Sequence, residues 1–60
     1  MSMEEEFYTP QEVAKLLKIS YMTVYRWIKS VKLPSYQVEK QYRIKKTDFN
    51  AFIESYKKEI

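Results

Sequence analysis

Hydrophobic and polar positions show no period over Met1 to Phe7, where Glu4, Glu5 and Glu6 form a block of like charge. Such a segment cannot bury enough apolar surface to order itself, so a flexible acidic tail over residues 1–7 is expected, with structure from Tyr8 onward. A solvated tail also accounts for the triple glutamate better than a metal site does, since no other ligand accompanies it. From Tyr8 the pattern becomes helical. Thr9-Pro10-Gln11-Glu12 carries a complete helix start, with Thr9 as N-cap, Pro10 where its missing N–H costs nothing, and Glu12 placed to close a capping box. Tyr8 and Val13 flank it as a hydrophobic staple. Val13, Leu16 and Leu17 then recur at helical spacing with Ala14 beside them, which predicts a short first helix with one apolar face, ending near Lys18.

Only Lys18 and Ile19 intervene before Ser20, a second good N-cap. Two helices joined by so short a turn form a helix-turn-helix. The second helix, expected over Ser20 to Val31, carries two stripes at i, i+3, i+4, i+7 spacing. Val24, Trp27, Ile28 and Val31 form the packing side, and Met22, Tyr25, Arg26 and Lys29 the free side.

Leu33-Pro34 breaks the helix and the period changes to two. Tyr36 and Val38 alternate with Gln37, and Tyr42 and Ile44 alternate with Arg43 and Lys45. A connection of Glu39, Lys40 and Gln41 would set Val38 opposite Tyr42 and Tyr36 opposite Ile44, giving a β-hairpin with a basic outer face. Thr47 is expected to cap a third helix whose Phe49, Phe52, Ile53 and Tyr56 again fall at helical spacing. The fold class that follows is α+β, mostly α: a winged helix-turn-helix of two helices, a β-hairpin wing and a C-terminal helix, over residues 8–58.

Sixty residues hold one small core, and with no cysteine or histidine neither disulfides nor thiolate or imidazole metal sites can staple it. The 17% aromatic content has to supply the packing. No apolar run approaches the roughly 20 residues that span a bilayer, and no signal segment is visible, so a soluble cytoplasmic protein is expected. Charge changes the picture more. The net charge of +3 conceals a basic middle: Lys15, Lys18, Arg26, Lys29, Lys32, Lys40, Arg43, Lys45 and Lys46 stand against Glu39 alone, between acidic ends. That distribution fits an electrostatic footprint for a polyanion, with an ordinary solvated lysine face as the competing account.

In a helix-turn-helix the second helix enters the major groove with its N-terminal residues nearest the base edges. Tyr21, Met22, Thr23, Tyr25 and Arg26 are the candidates here. Arg26 can bond guanine O6 and N7 together, or clamp a phosphate. Tyr25 can bond a base or phosphate through its hydroxyl, and Met22 can touch a thymine methyl. Free N–H groups at the start of this helix favour a phosphate near Ser20 and Tyr21, with Lys29 and Lys32 extending the contact. Lys40 at the hairpin tip and Arg43 and Lys45 on its outer face are placed for the backbone or a minor groove; an edge strand that uses lysines against aggregation would look similar. Ser20 itself and Trp27 read as structural, the first as a cap and the second as a core or hairpin anchor.

The same residues carry a resemblance. The run Tyr8-Thr9-Pro10-Gln11-Glu12-Val13-Ala14-Lys15-Leu16-Leu17, then Ile19-Ser20, Thr23-Val24-Tyr25-Arg26-Trp27-Ile28 and Lys32-Leu33-Pro34, resembles the excisionase-type, MerR-like winged helix-turn-helix domains. Tyr42-Arg43-Ile44 and the short helix with Asp48, Phe49 and Phe52 extend the likeness over nearly the whole chain. It implies a DNA-binding module acting as an excisionase, as a small transcription regulator, or as the N-terminal domain of a larger recombinase or regulator. That family often has glycine in the helix-helix turn, after the recognition helix and in the wing. This chain has Lys18, Val31, Glu39 and Lys40 there and no glycine anywhere, so these positions either avoid positive φ or hold a strained residue.

The partner expected is therefore double-stranded DNA, bound sequence-specifically, with a site-specific recombinase or further copies of the chain binding cooperatively beside it. The alternative is a protein-interaction adaptor anchored by Tyr21, Tyr25 and Tyr36, with DNA binding incidental. An enzyme is not expected, because no face gathers catalytic carboxylates and His and Cys are missing. Nor is a cofactor, a metal, a membrane or a small-molecule ligand.

Overall fold

Thr9 fixes where the first helix begins. Its Oγ1 accepts from the Glu12 N–H at 3.1 Å, and its own N–H donates to Glu12 Oε1 at 2.8 Å. This is the capping box anticipated from the sequence, an arrangement whose loss typically costs about 1 kcal/mol. The computed structural model describes residues 6–58, arranged as β1 (Phe7–Tyr8), α1 (Pro10–Leu17), α2 (Tyr21–Lys29), β2 (Tyr36–Val38), β3 (Gln41–Lys45) and α3 (Lys46–Glu54). The three strands form an antiparallel sheet in the order β1-β3-β2, which makes this α+β winged helix-turn-helix slightly richer in sheet than a bare hairpin.

Both helices of the helix-turn-helix end in the same way. Lys18 takes φ 57°, its N–H donates to Lys15 O at 3.3 Å, and the Ile19 N–H donates to Ala14 O at 3.0 Å. Val31 takes φ 62°, its N–H donates to Ile28 O at 3.1 Å, and the Lys32 N–H donates to Trp27 O at 3.0 Å. These are two Schellman motifs, each with a left-handed residue where glycine is the usual occupant. The second one shortens α2. It runs over Tyr21–Lys29 behind the Ser20 cap and not to Val31, which is 78% exposed and takes no part in the packing stripe expected of it. Leu16 likewise turns out to solvent, leaving Pro10, Val13 and Ala14 as the buried residues of α1 and Leu17 as a flanking contact.

The hairpin differs from expectation by one residue of register. Tyr36 pairs with Arg43, Gln37 with Tyr42 and Val38 with Gln41, so the turn is the two-residue Glu39-Lys40. Of these two only Glu39 has positive φ, at 56°, the order a type II′ turn requires. A shift of one residue reverses the faces. Tyr36, Val38, Gln41 and Arg43 share the outer face, while Tyr42 and Ile44 face the helices, so Tyr36 and Val38 are not on the core side.

Phe7, which the sequence pattern placed in the tail, pairs with Lys45, and Tyr8 pairs with Ile44. Glu6 is also described, and residues 1–5 of the expected tail lie outside the described residues. The third helix starts one residue before Thr47: Lys45 is its N-cap without a side-chain bond, and the Lys46 N–H donates to Glu6 O at 2.9 Å. A strand that runs straight into a helix leaves Thr47 no capping position.

Val13, Val24, Leu33 and Ile44 are wholly enclosed, one each from α1, α2, the post-helix loop and the central strand. Ala14, Ile28, Phe49 and Phe52 complete the core. Burying each larger side chain contributes roughly 1.5–3 kcal/mol. Trp27 packs at the edge of the core, 5.0 Å from the Phe52 ring and 6.4 Å from Tyr56, so of the two structural roles expected of it the structure shows packing against the core. Among the described residues no helix is long and apolar enough to cross a membrane.

Candidate nucleic-acid interface

α2 is held by its inward row, Val24 and Ile28, which leaves the opposite row to solvent. Met22, Arg26 and Lys29 lie along that outer row and are all exposed, with Tyr21 beside them at the helix start. The nine residues of α2 include no acid, so nothing on the helix itself offsets the Arg26 and Lys29 charges. Ser20 caps the helix by accepting from the Met22 N–H at 3.1 Å.

Thr23 and Tyr25 are half-buried and sit at the margin of this row. Tyr25 is walled in by aromatic neighbours. Its ring lies 6.3 Å from Tyr21 and 6.3 Å from Tyr42, and Lys29 Nζ stands 5.9 Å above it. Thus Tyr25 bridges the helix to the wing, and its ring is less free than the helical spacing implied.

The remaining cations surround α2 unevenly. Lys32 is exposed just beyond the left-handed Val31, and Lys40 is exposed in the hairpin turn. Arg43 is half-buried and folded along its own strand: Nη1 donates to Tyr42 O at 3.0 Å and Nη2 to Gln41 Oε1 at 2.6 Å. Lys45 closes β3 opposite Phe7, at the root of the wing and not along its blade. Arg26 and Lys29 accordingly lie on α2 with Lys32 in the turn after it, Lys40 and Arg43 lie on the wing, and Lys45 stands at its root.

Beside the wing group runs a cleft of about 340 Å³, bounded by the start of α1, Tyr21 and the wing. Gln11, Gln41 and Tyr42 line it, and sequence reasoning selected none of the three. Gln11 showed only as a filler inside a capping box, and the misread hairpin register concealed which residues flank the recognition helix. A second cleft, of about 490 Å³, shares Thr9, Gln41 and Arg43 with the first and is completed by Glu12 and Glu39 with Phe7 and Val38.

A short helix pair, the second helix acid-free and outward-facing, with a cationic hairpin beside it, defines a helix-turn-helix DNA-binding domain. Residues 7–57 match the family described as helix-turn-helix domain, and the chain belongs to that family. It is also 45% identical over 49 residues to the uncharacterized protein YvgK of Bacillus subtilis (strain 168). The matched stretch is 82% of this chain and 16% of that protein, so the chain spans a small part of the relative's length. No solved structure matches.

Proposed function

We propose that this domain binds a specific double-stranded DNA sequence, with α2 in the major groove and the wing against the neighbouring backbone or minor groove. The observation that carries the reading is the outer row of α2, where Met22, Arg26 and Lys29 are exposed on an acid-free helix fixed from behind by Val24 and Ile28. Arg26 is the base-reading residue, Tyr21, Met22 and Thr23 lie beside it near the helix start, and Lys29 and Lys32 take phosphates. Tyr25 works through its position between helix and wing. Lys40 and Arg43 hold the wing to the duplex, and Lys45 contributes from its root.

The excisionase-like, MerR-like resemblance of the sequence supports two settings for such binding: a recombination directionality factor that positions a site-specific recombinase, or a small transcription regulator. Either needs only DNA occupancy. A single module of this size should bury about 600–1,000 Å² on DNA, so further copies or a partner protein on adjacent sites would supply the remaining affinity. Fluorescence anisotropy of a labelled duplex, with wild type and Arg26→Ala at two salt concentrations, tests the reading. Salt-sensitive wild-type binding that the substitution weakens supports it, and no binding at low salt overturns it.

One observation favours a protein-binding role as the second reading. Phe7 and Tyr36 meet edge to face at 5.9 Å on the outer side of the sheet, with Val38 beside them and Tyr36 half exposed. Binding that is indifferent to salt and lost with Tyr36→Ala would support it.

A further inference from the structure

The two clefts beside the wing share Thr9, Gln41 and Arg43, which border both, and differ in the rest of their walls. The larger one includes Glu12 and Glu39 in its wall. The one facing the recognition helix has no carboxylate in its lining, and Lys40, Arg43, Gln11, Gln41, Tyr21 and Tyr42 supply it with two cations, two carboxamides and two phenols. Every one of those side chains can donate a hydrogen bond. A concave site rich in donors and cations and free of acid selects a compact anion with several acceptor oxygens.

We propose that this cleft seats one backbone phosphate of the bound duplex, gripped between the wing and the first turn of α1. The inference rests on the duplex-binding reading above and adds to it a residue outside both the recognition helix and the wing. Gln11 is exposed at the second position of α1, and its backbone N–H meets no acceptor among the described residues. Arg43 is already oriented along the wing by its 2.6 Å bond to Gln41 Oε1 and can exchange that acceptor for a phosphate oxygen without leaving the cleft wall. A phosphate held on one side by Lys40 and Arg43 and on the other by Gln11 and Tyr21 fixes the distance between wing and helix. It thereby sets the register in which α2 meets the bases.

Gln11→Glu separates this role from a structural one, because the two act in opposite directions. An acid in the first turn of a helix favours the helix, so the variant should melt at or above the wild-type temperature. In the cleft the same acid faces the phosphate and should weaken duplex binding about tenfold or more. The decisive measurement is the affinity of both proteins for a duplex selected from random sequence, and for a series in which single phosphates are replaced by uncharged methylphosphonates. The expected result is one linkage whose neutralisation abolishes the difference between the two proteins. Should Gln11→Glu bind like wild type, or its loss persist at every linkage, the cleft holds no phosphate although the domain still binds DNA. If wild type binds no duplex at all, the DNA reading fails and the cleft assignment falls with it.

Discussion

Tyr25 of α2 and Tyr42 of β3 meet edge to face, ring centroids 6.3 Å apart and planes at 73°, and so join the recognition helix to the wing. Aromatic pairs in this geometry contribute about 0.5–1.5 kcal/mol beyond their burial. A double-mutant cycle of Tyr25→Ala and Tyr42→Ala should show coupling of that size in denaturant melts, and each single variant should bind DNA more weakly. Strict additivity would mean that the wing is positioned without the pair.

Val31 should respond in the opposite sense. A β-branched residue at φ 62° with 78% of its surface exposed has strain and little burial to offset it. Val31→Gly is expected to raise stability by about 1 kcal/mol, visible as a higher melting temperature, with DNA affinity unchanged. A lower melting temperature would show that the exposed side chain makes contacts that outweigh the strain.

The basic residues should divide by what they touch. Lys32→Ala should weaken binding to all duplexes alike and lower the slope of log affinity against log salt by about 0.9. Arg26→Ala should relax discrimination at one base pair by about 1–3 kcal/mol. Competition titrations against single-substitution duplexes at several salt concentrations measure both quantities.

Leu33 is wholly enclosed although it lies in a loop, and its N–H donates to Trp27 O at 3.2 Å. Leu33→Ala should cost about 2–5 kcal/mol. A core of this size supplies only about 3–5 kcal/mol in all, so circular dichroism should find the variant largely unfolded at room temperature. A cooperative melt near the wild-type temperature would contradict the enclosure.

Thr9, Pro10 and Glu12 made α1 legible because a helix start is written in local chemistry, and Ser20 did the same for α2. The end of α2 was not legible. Val31 continues the apolar spacing perfectly, and only its left-handed backbone, which no sequence rule assigns to valine, takes it out of the helix. The hairpin failed for the same reason. With no Asn-Gly or Asp-Gly to mark a two-residue turn, Glu39-Lys40 read as part of a longer loop, and the one-residue error reversed the strand faces. Two residues are too few to show alternation, so β1 left no trace in the pattern. For the interface, helical spacing located the outer row of α2, but Gln11, Gln41 and Tyr42 became visible only once the true register brought wing and helix together.

β3 is the middle strand, and one of its neighbours is Phe7-Tyr8 from the opposite end of the described chain. The pairing is therefore a clasp, with α1, α2 and the start of the hairpin enclosed between its halves in the chain. Contacts so distant in sequence carry the largest loop-closure cost and are the slowest to form. The wing root and the N-terminal strand should accordingly gain hydrogen-exchange protection together and late in refolding, after the helix pair has already assembled.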